Sequence, residues 1–191
     1  DHRRVRSDNT KNAIMRAAER LIADRGIENV SIRDIVSAAG QKNESALQYH
    51  FKNLTGLIEE IKLARSDQTH LKRAELIQAL HQTTTQPSVA DACKLMVQPA
   101  FELACEDKDF HCYVKAFGHE LVLTNSSPSA KATAQGGGGA SGKQTAAMLK
   151  DALPHLDAEI YQQRLDAAVL LSLASMYHQA RQKNAFIGDQ A

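Results

Sequence analysis

The sequence predicts an all-α fold, with an N-terminal three-helix unit of helix-turn-helix form joined to a larger helical body. Three observations carry that expectation. Apolar residues recur with helical spacing through most of the chain, no run of alternating β-branched residues bounded by turns reads as a strand, and glycines fall where short helices must stop. At 191 residues, with 43% hydrophobic and 24% charged, the chain has the composition of an ordinary folded protein with room for one large core or two small ones.

Ile14, Ala17, Ala18, Leu21 and Ile22 place one apolar stripe on a first helix expected to begin near Asn9 or Thr10, and Gly26 is positioned to end it. Ser31 and Asp34 have capping-box spacing, and Ile32, Ile35, Val36 and Ala39 form the buried face of a short second helix stopped by Gly40. A third short helix is expected from Asn43 or Glu44 to Phe51. Asn53 caps a fourth, running to about Leu80 with Leu57, Ile58 and Ile61 on its apolar face. Pro87 breaks the pattern. Further helices are expected over 88–106, kinked or divided by Pro99, and over 109–124, where Phe110, Val114, Phe117, Leu121 and Val122 share a face. Residues 125–142, rich in Ser, Gly and Ala, read as a flexible loop, followed by helices near 143–153 and 157–186. The last carries small and apolar residues over more than one face, so it calls for burial on two sides, within its own domain or against a second copy.

Charge and cysteine content exclude several classes. Residues 1–52 carry ten Lys and Arg against seven Asp and Glu, while residues 53–191 carry thirteen against fifteen. That asymmetry mildly favours a polyanionic partner for the N-terminal unit. No stretch approaches the roughly eighteen apolar residues of a membrane span, and the charged N-terminus does not read as a signal peptide, so a cytoplasmic protein without membrane attachment is expected. Cys93, Cys105 and Cys112 include no CxxC pair and read as reduced thiols. Gly137 to Lys143 fits GxxxxGK, but Gln144 stands where Ser or Thr would bind magnesium, and no strand precedes it. His111, His119, His155 and His178 lack metal-ligand spacing, so neither a cofactor nor a metal nor a catalytic set is expected.

The informative segment is Ser31 to Phe51, SIRDIVSAAGQKNESALQYHF, where a short helix, a glycine turn and a second short helix ending in Tyr-His-Phe suit a helix that lies in the major groove. Together with the amphipathic first helix, Gly26, Ile35 and the Ala39-Gly40 pair, residues 10–62 resemble the TetR family of transcriptional regulators. Two features depart from the family pattern. One extra residue lies between Ala39 and Phe51, within Gln41-Lys42-Asn43, and Leu54 stands where the family commonly has a phosphate-contacting lysine, a role Lys52 could take over.

On the residues themselves, Ser31 offers a hydroxyl and an amide to phosphate, and Arg33 points away from the apolar face of its helix. Lys42, Asn43, Glu44, Ser45 and Gln48 suit base edges, whereas Tyr49 and His50 suit the backbone and Leu47 and Phe51 anchor the helix. Arg3, Arg4 and Arg6 read as a basic arm. The expected division is a DNA-binding domain over 1–53 and a ligand-binding and dimerisation domain over 54–191.

Candidate walls of an effector pocket are Leu95, Met96, Phe101, Leu103, Phe110, Tyr113, Phe117 and Tyr177, with Cys112, His119 and His178 as polar contacts. The resemblance implies a homodimer, joined through its C-terminal helices, that binds a palindromic double-stranded operator and is released by a small molecule, most simply as a repressor. The alternative is a helical small-molecule-binding or interaction module without sequence-specific DNA binding.

Overall fold

The computed structural model of the chain describes residues 2–122, 127, 130, 139–182 and 185–186. Among the described residues all regular structure is helical: α1 (His2–Arg25), a single 3₁₀ turn (Ile27–Asn29), α2 (Ile32–Ala38), α3 (Ser45–Phe51), α4 (Leu54–Thr83), α5 (Val89–Glu106), α6 (Lys108–Val122), α7 (Gly139–Asp151) and α8 (Ala158–Ala180).

The expected punctuation operates at the level of individual atoms. The Gly26 amide closes α1 on the Ile22 carbonyl at 2.9 Å, with φ of 78°. Ser31 and Asp34 form the reciprocal capping box of α2, which ends in a Schellman turn, with Gln41 N–H bonded to Val36 O and Gly40 N–H to Ser37 O. Asn53 caps α4 through the Gly56 amide, and Ser88 and Asp91 repeat the capping box at the start of α5.

Several boundaries differ from the sequence expectation. Helix α1 begins at His2 rather than near Asn9 or Thr10, so the basic arm is helical in its backbone. The Thr10 hydroxyl donates back to the Arg6 carbonyl at 3.0 Å, a bond made inside a continuing helix and not at a cap. Pro99 lies buried within α5, which runs unbroken across it. Helix α7 begins at Gly139, so residues 139–142 are helical, and the Ser141 hydroxyl there donates to the His70 carbonyl at 3.0 Å. The rest of the expected loop lies, apart from residues 127 and 130, outside the described residues.

One long and two short helices enclose too little apolar area to stand alone. Their core, built on Ile14, Ala18, Ile22, Ile35, Val36, Leu47 and Phe51, extends to Leu57 and Ile61 of α4 and to Ala116 and Phe117 of α6. A second cluster joins Ala104, Phe110 and Val114 to Ala180 and Phe186. Each fully buried Leu, Ile or Phe contributes about 1.5–3 kcal/mol. The head is thereby packed onto the body rather than tethered to it.

Helix α4 runs through both. Its buried residues Leu57, Ile61, Arg65, Arg73 and Ile77 stand four or eight positions apart. Four residues advance about 40° past a full turn, so this stripe winds around the helix and faces the head at one end and the body at the other.

At the crossing lies Arg65. Its Nε and Nη2 donate to Glu19 Oε1 and Oε2 of α1 at 2.7 and 2.8 Å, and its Nη1 reaches Gln68 at 2.8 Å and Asp107 at 3.1 Å. Glu19 is only 1% exposed. Burial raises the Glu19 pKa, and the bonds and charge of Arg65 offset that in part. For Arg65, burial opposes the charge, but the bonds to Glu19 with the nearby carboxylates outweigh it and hold the guanidinium above its usual pKa. Around this pair, Arg16 and Arg20 of α1 grip Asp109 of α6, and Lys62 of α4 pairs with Glu120.

Removing one partner of such a pair strands the other. Glu19→Ala should lower unfolding free energy by about 3–5 kcal/mol in urea, while Glu19→Met combined with Arg65→Met should recover most of that loss. Additive losses in the double variant would contradict the pairing.

Candidate nucleic-acid interface and ligand cavity

Helix α3 is held by one face and bare on the other. Leu47 and Phe51 are buried in the head core, whereas Ser45, Gln48 and Tyr49, spaced i, i+3 and i+4, form an exposed face opposite, with Lys52 exposed just beyond the end of the helix. Tyr49 is 81% exposed, which removes it from the core. Arg33 on α2, and Lys42, Asn43 and Glu44 in the turn, are exposed on the same module. With them the sequence reading missed Ser37 and Gln41, which join Arg33 and Lys42 around one surface concavity between α2 and α3. Ser37 follows Arg33 by four residues on α2, a spacing that signals a shared face, whereas only the turn geometry brings Gln41 and Lys42 beside them.

Local bonds shape what these groups can offer. Ser31 commits both of its donors, amide and hydroxyl, to the Asp34 carboxylate, and those bonds hold the Asp34 carboxyl below its ordinary pKa. A phosphate contact from Ser31 would have to displace Asp34. The Asn43 side-chain carbonyl accepts from the Ser45 amide and hydroxyl, which fixes the start of α3 and leaves the Asn43 amide group as the donor for a base or phosphate. His50 is half-buried with its ring nearly perpendicular to Tyr49, centroids 5.0 Å apart. Burial, and then the charge of Lys11, lower its pKa, so the imidazole is neutral near pH 7. Arg6 is exposed on α1, while the side chains of Arg3 and Arg4 lie outside the described residues.

Two left-handed turns set the pose of α3. Gly40 has φ of 69° with open space where a Cβ would stand. At the other end Lys52 has φ of 68° and ψ of −49°, and the Asn53 amide donates to the Phe51 carbonyl at 2.8 Å, a tight γ-turn that strains a side-chain-bearing residue.

In the body a cavity of about 570 Å³ opens between α4, α5, α6, α7 and α8. Of the nominated residues it takes in Met96, Phe110, Tyr113 and Phe117. Burial pushes the Tyr113 hydroxyl up to about 12. The other seven nominated residues, Leu95, Phe101, Leu103, Cys112, His119, Tyr177 and His178, are not among its lining residues. Phe101 is partly exposed against Phe186, His119 packs on Tyr177, Tyr177 accepts from Arg181 and abuts Gly118, and His178 is exposed on α8.

The polar wall is α4, through Lys62, Arg65, Ser66, Thr69 and Arg73, none of which the sequence reading nominated. A signal existed. Arg65 and Arg73 interrupt, at four-residue spacing, the apolar stripe of Leu57, Ile61 and Ile77.

Residues 14–61 match the family model for bacterial regulatory proteins, tetR family. The fold is similar to that of a TetR family transcription regulator from Marinobacter aquaeolei VT8, with a TM-score of 0.55 and 17% identity over 92% of this chain and 97% of that one. A protein of Streptomyces coelicolor A3(2) described as a transcriptional regulator overlaps 92% of this chain and 90% of its own, at 19% identity and a TM-score of 0.47. No curated protein matches the sequence.

The two turns make opposite predictions. Gly40→Ala should destabilise by about 1 kcal/mol, since alanine gains no contact and must adopt positive φ, whereas Lys52→Gly should stabilise by a similar amount. Denaturant unfolding of both variants decides whether backbone strain or the lost glycine freedom controls these sites.

Proposed function

We propose that this chain is a TetR-family transcription regulator that binds a palindromic operator as a homodimer and is released from it by a small molecule, the behaviour of a repressor. The match of its N-terminal module and the similarity of its fold support this reading. The observation that carries this reading is the bare face of α3, with Ser45, Gln48, Tyr49 and Lys52 outward and Leu47 and Phe51 inward. In that pose Gln48 suits adenine and Lys42 suits guanine or phosphate, while Tyr49, Lys52 and Arg33 suit the backbone on either side.

A palindrome needs two copies, and α8 offers a face for pairing. Ala167, Ala168, Leu171 and Ser175 lie on its exposed side, and Leu171 is 69% exposed. This is a stripe of small residues around one large apolar knob, suited to close approach of a second helix. Two reading helices joined this way must meet successive major grooves about 34–36 Å apart, or at a multiple of that distance.

Release follows from α4. Its 30 residues make a rod about 45 Å long, seated in the head through Leu57 and Ile61 and lining the cavity through Ser66, Thr69 and Arg73. A tilt of about 5° moves one end by about 4 Å relative to the other, enough to spoil groove spacing. A ligand that prefers the tilted state lowers operator affinity by its differential binding.

Selection from a random duplex pool should return an inverted repeat, and a labelled repeat should then shift in gels as a dimer complex. Gln48→Ala or Lys42→Ala should cost about 1–3 kcal/mol on that site and relax preference at one base step. Salt-labile binding without a consensus would instead favour a helical ligand-binding module that does not read DNA. On gel filtration, Leu171→Glu should yield a monomer with weakened operator binding. An unchanged dimer would place the pairing face elsewhere.

A further inference from the structure

The charges around the body cavity do not balance. Its described lining includes Lys62, Arg65, Arg73 and Lys143 and not one Asp or Glu. Lys62 and Arg65 are answered from outside the cavity, by Glu120 and by Glu19 with Asp107. Arg73 is not answered. It is 7% exposed, its Nε donates to the Leu95 carbonyl at 3.0 Å, and its Nη1 lies 3.5 Å from the Ser141 hydroxyl, so both of its partners are neutral. Burial lowers its pKa, and no carboxylate among the described residues counters that. The stretch 123–138 that joins α6 to α7 contains no Asp or Glu either.

A second orphan stands beside it on the same helix. The Ser66 hydroxyl is the only buried side-chain polar atom among the described residues without a hydrogen-bond partner, and Ser66 lines the cavity two turns before Arg73. Thr69, between them, returns its hydroxyl to the Arg65 carbonyl, as Thr145 and Ser172 do within their own helices. A buried cation without a counter-charge and a buried hydroxyl without a hydrogen-bond partner are each costly, and both are relieved by a group that accepts hydrogen bonds and carries negative charge. Across from them the wall is apolar, with Phe110, Phe117, Leu165, Val169 and Met176.

We infer that the cavity binds an amphipathic organic acid, its carboxylate on the Arg73 guanidinium and its apolar body against α6 and α8, with Ser66 donating to a polar atom along the α4 side. The inference rests on the reading of this cavity as the ligand site. Arginine suits the role because its planar fork meets a carboxylate with two parallel bonds. A volume of about 570 Å³ lies in the range of small-molecule sites.

The test is calorimetric titration of the full chain with decanoate and naphthoate, each beside its primary amide. Wild type should bind at least one acid tenfold or more tightly than its amide. Arg73→Met should bind acid and amide alike, and without ligand should melt at or above wild type, because the exchange removes a buried charge that has no counter-ion. Ser66→Ala should weaken acid binding several-fold with the acid preference retained. Equal affinity for acids and amides in wild type, failure of both acids to bind, or an acid preference that survives in Arg73→Met would overturn the assignment. The wild-type comparison stands even if a variant does not fold. Gel shifts on the same preparations keep the two readings apart. An acid that binds without loosening the operator complex leaves the site intact and defeats release, while operator binding without any acid binding does the reverse.

Discussion

The side chain of Arg65 fixes the N-terminal head against the body at one buried point, alongside the apolar core they share and the ion pairs of Arg16 and Arg20 with Asp109. It bonds Glu19 of α1 with two nitrogens, Asp107 at the α5–α6 corner with a third, and also lines the body cavity. A buried pair of this kind adds little net stability, because desolvation consumes most of its Coulomb energy, yet it tolerates very few geometries. Apolar contacts between α1 and α6 could slide by fractions of an ångström at small cost. The forked bonds of Arg65 to Glu19 cannot, and they register the head against α4 in one position. Arg65 thus touches both the cavity and α1, whose apolar face shares a core with α3.

The same constraint explains why the head is built as it is. Helices of seven residues are too short to persist alone, so α2 and α3 depend on their caps, on the Schellman turn at Gly40 and on burial against α1, α4 and each other. That economy frees the outer face of α3 from any structural duty. Nothing in the fold requires Gln48 or Tyr49 to be where they are, and it is that freedom which makes them available to a partner.

Much of this was legible in the sequence, and the limits are physical. Ser31, Gly26, Gly40 and Asn53 were readable because capping and left-handed turns are local events with narrow residue preferences. Burial of Leu47 and Phe51 and exposure of Gln48 followed from helical period. The start of α1 was misread because the segment from His2 to Asp8 has helix-compatible residues but little apolar signal, and periodicity sees only the latter. The cavity was half found. Phe110, Tyr113 and Phe117 announce themselves as an apolar face, while Arg65 and Arg73 look like ordinary surface cations until the fold shows that both are buried. Phe101, His119 and Tyr177 were drawn in by residue type alone, and the rotation of their helices turns them elsewhere. Long-range placement, such as Glu19 meeting Arg65 across 46 positions, leaves no trace in local pattern.

The claim on which the functional account turns is that paired copies lay α3 into successive major grooves. Hydroxyl-radical footprinting of the full-length protein on a selected operator tests it most directly. Two protected half-sites related by a dyad, with centres about 10 base pairs apart or a multiple of that, are expected. A single half-site, or even protection along the duplex without phase, would contradict it.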